Sequence, residues 1–330
     1  MKLQQFNFLD LKAELDRENL PYKYRLEPTY VNYLKEYNLK SSFEDISFII
    51  KNNGCNLYCP LTIESFDNKN LLSFFGDPFI IICSNINKEI LKLFYEKIEN
   101  ILIEKSISKV NFLIEKPWNG EDYVDVINKE ALLKHKLTKF IDLSKDLDSI
   151  KKDFSKGHKS SVKKEYEDLN YKIINFKNYN NEILDMMLMH KKVAGRVTRS
   201  KNSWLLNGEM IKNDNAILIK VIYKDQAISY SLFFFNKHEA VYFSSCTERQ
   251  YFKDFINITH KSIYHSINYL KNIKCKKLTL GYCKTIYSPT IISEKLTNLE
   301  KFRNSFGGDN YLNYYLEEIN KKDLINIYES

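Results

Sequence analysis

The order of apolar segments in the second half of the chain is the feature that most restricts its fold. Three runs rich in β-branched and aromatic residues lie at Ala216–Tyr223, Ala227–Phe235 and Glu239–Ser245. Only Lys224-Asp225-Gln226 and Asn236-Lys237-His238 separate them. Short polar turns between such runs predict three antiparallel strands connected as a meander.

Helices and strands surround this meander in a definite order. The predicted elements before it are a strand at Tyr171–Phe176 and helices at Glu182–Val193 and Ser203–Lys212. Those after it are a helix at Phe255–Leu270, a strand at Lys277–Leu280, a helix at Ser293–Asn304 and a strand at Tyr311–Leu316. Residues 171–316 therefore read β-α-α-β-β-β-α-β-α-β, which predicts an α/β protein with mixed sheets.

The first half repeats the central part of that order. Its predicted elements are strands at Asp45–Lys51, Asn56–Glu64 and Pro78–Ser84, a helix at Lys88–Glu104 and a strand at Lys109–Ile114. Two short helices around Pro21 and Pro28 are expected before them. A strand at Thr138–Leu143 and a helix at Leu147–Asp168 would connect the halves. We therefore predict two domains, residues 1–137 and 138–330.

Composition restricts the class of protein less sharply. The 330 residues are 44% hydrophobic and carry a formal net charge of +8. No apolar run approaches the roughly 18 residues that span a bilayer, and the first residues do not resemble a signal peptide, so we expect a cytoplasmic protein. The positive charge leaves an RNA partner open, although abundant Lys, Asn, Ile, Tyr and Phe are also typical of AT-rich codon usage.

The six cysteines do not predict a metal site. Only Cys55 and Cys59 lie close together in sequence, and no second pair or nearby histidine completes a zinc motif. We expect reduced thiols packed as small apolar side chains. No metal and no tightly bound cofactor are predicted.

The most informative local motif is Phe302-Arg303-Asn304-Ser305-Phe306-Gly307-Gly308. The chain has only nine glycines, so an adjacent pair at a helix end predicts a backbone requirement such as a left-handed cap. Arg303 would favour the helix dipole there. It is also one of only six arginines. The planar guanidinium group of an arginine can form two parallel hydrogen bonds with a carboxylate or phosphate group.

This motif resembles the Phe-Lys-x-x-Phe-Gly motif near the C-terminus of the Fem family of acyl-transferring enzymes. The element order of residues 171–316 is likewise that of the GNAT fold, so the resemblance implies tandem GNAT-like domains. The family's lysine is held to lie at the acyl-transfer centre. The resemblance implies that Arg303 stabilises the oxyanion or the phosphate end of the donor.

Other stretches resemble the same family and imply further roles. The segment after Thr138–Leu143, the helix pair from His190 to Trp204 and the strand around Tyr242 would face the acceptor. The implied acceptor-binding residues are Lys156, His158, Lys159, Arg196, Arg199, Trp204 and Tyr242. His190, His260 and His265 are candidate bases, with a structural role as the alternative.

The donor side is predicted from the way GNAT-like sheets splay. The strands at Glu239–Ser245 and Lys277–Leu280 would part, and the helix start around Thr247–Asp254 would offer N–H groups to phosphate. No glycine lies in Thr247–Lys253, unlike the turn of acetyl-CoA users. The implied donor-binding residues are Ser244, Ser245, Cys246, Arg249, Lys253 and Phe302. Tyr287, in the loop after the strand at Lys277–Leu280, would protonate the leaving group.

These features predict an N-acyltransferase with acyl-CoA or aminoacyl-tRNA as its co-substrate. The favoured reaction moves an acyl group from an acyl-CoA-type donor to an amine of an envelope or surface-glycan precursor, such as an amino sugar. One alternative is a Fem-type transfer from aminoacyl-tRNA to a peptidoglycan precursor. Another is a noncatalytic adaptor on a GNAT scaffold. The expected partner is an anionic nucleotide sugar or wall precursor.

Overall fold

The structure, a computed structural model, describes residues 2–52, 54–83, 87–115, 133–255, 258–283 and 294–317. The chain forms two compact units. One consists of Met1–Tyr22, Asn38–Lys136 and Leu312–Ser330, and the other of Lys23–Tyr37 and Leu137–Tyr311. None of the helices in the described ranges has the length and apolarity that crossing a membrane requires.

The described part of the first unit contains two helices and two groups of paired strands. Its helices are α1 (Phe8–Arg17) and α3 (Lys88–Glu104). Its strands are β1 (Lys2–Gln5), β2 (Ser42–Asp45), β3 (Phe48–Asn52), β4 (Cys55–Cys59), β5 (Thr62–Phe66), β6 (Lys69–Ser73), β7 (Ile82–Cys83) and β8 (Lys109–Glu115). One group has the order β1-β3-β4-β7, and in the other β8, β6, β5 and β2 are consecutive neighbours.

Helix α3 shows why this unit buries a core. Asn87 caps it by accepting a hydrogen bond of 2.9 Å from the Ile90 N–H group. Ile90, Phe94 and Ile98 recur every four residues and are all buried, so the helix presents one apolar face. Phe94 meets Phe112 of β8 with ring centroids 5.9 Å apart.

The predicted single strand at Asn56–Glu64 is wrong, because the structure has two strands there. β4 ends at Cys59 and β5 begins at Thr62. Pro60 has no N–H group for a ladder, and the Leu61 N–H group instead donates to the Ser47 hydroxyl over 3.0 Å. The prediction also missed β6, and it began β7 four residues too early, at Pro78.

The second unit contains the remaining helices and most of the remaining strands. Its helices are α2 (Pro28–Tyr37), α4 (Leu147–Asp153), α5 (Lys156–Lys163), α6 (Glu182–Ala194), α7 (Lys201–Lys212), α8 (Ile258–Asn272) and α9 (Glu294–Asn304). Its strands are β10 (Leu169–Ile174), β11 (Ala216–Tyr223), β12 (Gln226–Phe235), β13 (Glu239–Thr247) and β14 (Lys277–Cys283). Two strands, β9 (Leu133–Asp142) and β15 (Asp309–Glu317), begin or end this unit.

The sheet of this unit follows the order β10-β11-β12-β13-β14-β9. The pairs from β10 to β13 are antiparallel, as the predicted meander requires. β13 and β14 are parallel, and β9 runs antiparallel to β14. The element order predicted for residues 171–316 is confirmed, with boundaries that shift by a few residues.

The core of the second unit lies between this sheet and α8. Ile263 and Ile267 of the helix are fully buried with Phe233 of β12 and Leu278 of β14. Helix α2, which comes early in the chain, packs with α7 in the same unit. The sheet therefore has a rigid apolar support directly beneath the strands that form the site.

The helix predicted at Leu147–Asp168 is wrong, because the structure has two short helices there and the second ends at Lys163. Phe154 has extended backbone angles, and its side chain is buried. Ser155 then caps α5 by accepting from the His158 N–H group. The Ser155 N–H group donates to the Ser305 carbonyl over 2.9 Å, so the break joins this segment to the end of α9.

Candidate active site

The two parallel strands of the second unit part after only three residue pairs. Glu239, Ala240 and Val241 of β13 pair with Lys277, Leu278 and Thr279 of β14. β13 continues to Thr247 and β14 to Cys283 without further pairing to each other. This splay confirms the predicted parting of the strands, and it leaves main-chain polar groups along both inner edges for another partner.

Each strand carries an irregularity at the splay. In the β12–β13 register, Leu232 pairs with Ser244 and Phe233 with Tyr242, so Phe243 is an extra residue. In the β14–β9 register, Thr279 pairs with Phe140 and Gly281 with Lys139, so Leu280 is extra. Bulges of this kind bend a strand and re-aim its side chains. Both strands therefore bend away from each other within two residues of Val241 and Thr279, the last pair that they share.

Arg303 at the end of α9 is anchored to the bulge of β14. Its Nε–H group donates to the Leu280 carbonyl over 3.0 Å. A Cβ atom on Gly281 would lie 2.9 Å from Nη2 and 3.1 Å from Cζ of Arg303. The guanidinium thus lies against the bare Cα of Gly281, whose φ of +106° also favours glycine. Sequence reasoning missed Gly281, although glycine is scarce in this chain.

The glycine pair after α9 holds that helix end in place. Gly307 and Gly308 have φ values of +63° and +70°, which confirms the predicted left-handed stop. A Cβ atom on Gly307 would lie 2.2 Å from the Asp153 carbonyl, and one on Gly308 would lie 2.3 Å from that of Phe140. The pair is therefore required for close backbone packing as well as for the turn.

Aromatic and hydroxyl groups line the splay beside Arg303. The Tyr242 hydroxyl donates to Ser245 Oγ over 2.5 Å. Burial raises the pKa of Tyr242 to about 12, while its hydrogen bond to Ser245 and the nearby charge of Arg303 act in the opposite direction. Phe302 lies 6.3 Å from the Tyr242 ring, centroid to centroid. Tyr242 therefore keeps its proton at neutral pH, close to the cation.

Arg199 is held between two aromatic rings near the bulge of β13. Its guanidinium carbon lies 4.9 Å from the centroid of Trp204 and 5.0 Å from that of Phe243. One Nη donates to Ser244 Oγ over 3.4 Å, and the other is buried without a hydrogen-bond partner among the described residues. A rigidly clamped guanidinium with a donor to spare is suited to an anionic group.

His190 lies beside this clamp. Its ring centroid is 5.3 Å from that of Trp204, and Nδ1 is 3.2 Å from the Thr198 hydroxyl. Burial lowers the pKa of His190, and the charge of Arg199 lowers it further. The imidazole is therefore neutral at pH 7 and able to accept a proton.

His158, one of the implied acceptor-binding residues, lies inside the protein. It is 2% exposed and packs against Phe154, Phe306 and His260, with ring centroids 4.6, 4.1 and 4.7 Å away. Burial and the neighbouring His260 lower its pKa to about 3, and burial lowers that of His260 to about 4. Both imidazoles form an aromatic layer beneath Phe302 rather than a charged surface.

The segment expected to bind the phosphate end of a donor differs in detail from the prediction. The helix predicted from Phe255 is described as α8 only from Ile258, and a short 3-10 turn occupies Arg249–Phe252. Arg249 and Lys253 are both exposed, and an Arg249 Nη group donates to the Val193 carbonyl over 3.3 Å. Cys246 is buried, which raises the pKa of its thiol to about 12.

The remaining predicted site residues occupy other positions. Lys156 and Arg196 are exposed, and the Lys159 ammonium group donates to the Lys152 carbonyl over 2.8 Å. Tyr287 lies outside the described residues. No group of three or more His, Cys, Asp or Glu side chains in the described part of the chain could hold a metal ion.

Comparison with known proteins places the fold. No family model matches the sequence, and no curated protein matches it. The structure resembles that of FemX over 100% of both chains, with a TM-score of 0.66 and 11% identity. It also resembles L-PGS from Bacillus licheniformis over 97% of this chain and 94% of that one, with a TM-score of 0.54 and 11% identity.

A third similar solved structure is a tandem GNAT protein from the clavulanic acid biosynthesis pathway, determined without acetyl-CoA. The match covers 96% of this chain and 98% of that one, with a TM-score of 0.51 and 9% identity. The chain therefore has a tandem GNAT fold similar to that of FemX, as the sequence predicted. These low identities establish the fold alone.

Proposed function

We propose that the chain is an N-acyltransferase whose site lies at the splay in a C-terminal GNAT-like domain, residues 138–330. The observation that supports this most directly is the parting of β13 from β14 with Arg303 anchored at the opening. An extended acyl donor can hydrogen-bond to the unpaired strand edges, as a further strand would. Its carbonyl carbon would then lie beside the guanidinium.

The reaction is a direct transfer without a covalent enzyme intermediate. The acceptor amine attacks the carbonyl carbon of the thioester or ester, and the carbonyl oxygen becomes negatively charged. Arg303 and main-chain N–H groups near Ser244 to Cys246 stabilise this oxyanion, each worth about 3–4 kcal/mol. The intermediate collapses by expelling thiolate or alkoxide, and the proton lost by the amine balances the proton taken up by the leaving group.

The acceptor side centres on Arg199. Its clamped guanidinium would bind a phosphate or carboxylate of the acceptor, with Trp204 and Tyr242 lining the cleft. Lys156, Lys159 and Arg196 would add positive charge. His190 is the neutral group best placed to take the proton of the amine. An anionic amine, such as an amino sugar on a nucleotide or a wall precursor, fits this arrangement.

Two donor classes remain, and different observations favour them. An acyl-CoA-type donor is favoured by the likeness to a tandem GNAT protein. The glycine-free segment Thr247–Lys253, together with the likeness to FemX and L-PGS, favours aminoacyl-tRNA. Exposed Arg249 and Lys253 would contact the phosphates of either donor, with Phe302 and Cys246 lining the acyl end.

Binding separates the donor classes and tests the function. Acetyl-CoA and charged tRNA are titrated separately against the full chain between about 50 and 200 mM salt, and tRNA affinity should fall steeply with salt because bound counterions are released. Tight CoA binding with little salt dependence, and no binding of tRNA, would eliminate the aminoacyl donor. Binding of neither would support the noncatalytic adaptor and overturn the proposal.

A further inference from the structure

Two cysteine thiols of the first unit lie almost in contact. Cys55 begins β4, Cys83 ends β7, and their sulfur atoms are 3.3 Å apart. In the β4–β7 register, Cys83 pairs with Leu57. Cys55 precedes Leu57 by two residues and so lies on the same face of the sheet. The proximity of the thiols thus follows from strand pairing across 28 positions of sequence.

A short movement separates the two sulfurs from bonding distance. A disulfide has a sulfur–sulfur distance of about 2.05 Å, so the pair must close by only about 1.3 Å. Cys55 pairs with Asn52 of β3, and within the described residues Leu57 and Tyr58 pair with Cys83 and Ile82 of β7. Cys55 therefore lies two residues along β4 from the residue that pairs with Cys83.

Cys83 is more exposed than the other described thiols. Cys83 is half-buried, and Cys55 is 6% exposed. Cys59, on the same strand, is fully buried, and burial raises the pKa of its thiol well above the ordinary value. Burial likewise raises the pKa of Cys246 and Cys275. Among these five thiols, an oxidant in solvent therefore reaches Cys83 first, with a second thiol directly beside it.

We propose that Cys55 and Cys83 form an oxidation site that a peroxide closes to a disulfide. The Cys83 thiolate attacks hydrogen peroxide, which leaves a sulfenic acid and releases hydroxide, neutralised to water by the proton of the Cys83 thiol. The Cys55 sulfur then attacks the sulfenic sulfur, the S–O bond breaks, and the Cys55 proton leaves with the hydroxyl group as a second water. Two thiols lose two electrons, and one peroxide is reduced to two waters.

The disulfide would close a loop that contains β4, β5, β6 and β7. Such a link restricts the unfolded chain more than the folded one and raises the melting temperature. Dithiothreitol would reverse it by thiol–disulfide exchange. This inference concerns the first unit alone and does not depend on the proposed acyl transfer.

The test uses the full chain reduced with dithiothreitol and then treated with hydrogen peroxide. Intact mass should show the loss of two hydrogen atoms, and peptide mapping should join the peptides that carry Cys55 and Cys83. The oxidised protein should melt higher by roughly 5 °C, and dithiothreitol should reverse the shift. Cys59→Ser is the matched control and should keep both the link and the shift.

Cys83→Ser should lose both effects. Alkylation of the wild-type protein in denaturant without reductant, before and after peroxide treatment, gives a second measurement that needs no variant, because oxidation should protect Cys55 and Cys83 together. A wild-type protein that remains folded and yields only sulfinic acid, or links other cysteines, would overturn the proposal. Equal protection of Cys59 from alkylation after oxidation would also overturn the proposal.

Discussion

The Nε–H group of Arg303 donates a hydrogen bond to the main-chain carbonyl of Leu280 over 3.0 Å. Leu280 is the bulged residue of β14, one position beyond the last pair that β14 shares with β13. A cation at the end of one helix is thereby held at the point where two strands separate.

Removal of the cation tests its proposed role on the oxyanion. Arg303→Ala should lower turnover about 100- to 1000-fold, because a preorganised donor to developing charge is lost. Arg303→Lys should keep part of the activity, since the positive charge remains. Steady-state kinetics and a melting curve measure the two effects. Lys301→Ala, at an exposed position on the same helix, is the control, and full turnover in folded Arg303→Ala would remove the assignment.

A methyl group at Gly281 should displace the guanidinium without altering its charge. Gly281→Ala would place Cβ 2.9 Å from Arg303 Nη2, at a φ of +106° that alanine rarely adopts. We expect a stability loss of about 1–3 kcal/mol and a fall in turnover that approaches that of Arg303→Ala. Gly157→Ala is the control, because a Cβ there has no atom within 4 Å. Unchanged turnover in Gly281→Ala would show that the placement of the cation is unimportant.

Arg199 should govern acceptor affinity more than turnover. Its guanidinium is clamped between Trp204 and Phe243 and retains a buried donor. Arg199→Ala should raise KM for the acceptor about 10- to 100-fold, the cost of one hydrogen bond to a charged group, with a smaller change in kcat. Lys201→Ala, at a neighbouring exposed position, should leave KM unchanged. A change confined to kcat would place Arg199 in the chemical step.

The buried His158 should make stability depend on pH. Its pKa is about 3 in the folded protein and about 6.5 in an unfolded chain, so the unfolded chain binds the proton first on acidification. Stability is therefore unaffected by His158 above about pH 6.5 and falls below it, by about 1.4 kcal/mol per pH unit. Urea unfolding between pH 6.5 and 4.5 measures this slope.

His158→Leu isolates that contribution. The variant should show a shallower loss of stability on acidification, whatever its stability at neutral pH, because the slope reports proton binding alone. His260, whose folded pKa is about 4, should still contribute its own slope. Identical slopes in the two proteins would mean that His158 takes up its proton in the folded state.

Local patterns in the sequence determined the element order of the second half and the stop after α9. Hydrophobic periodicity and short polar turns depend on neighbours in sequence, so they predicted the meander, α6, α7 and the helix of Arg303 correctly. The glycine pair correctly predicted the left-handed end of α9, because few other residues accept a positive φ. Boundaries at Pro60 and Phe154 were wrong, since the hydrogen bonds that set them come from Ser47 and Ser305, distant in sequence.

Only the tertiary structure decided how the site residues meet. Bulges at Phe243 and Leu280 leave the alternation of apolar residues almost intact, yet they set where the strands part and where Arg303 is anchored. The burial of His158 depends on Phe306 and His260, more than 100 residues later in the chain. A sequence pattern reports which residues prefer burial. The register of the strands and the packing of the helices decide which of these residues lie together in the structure.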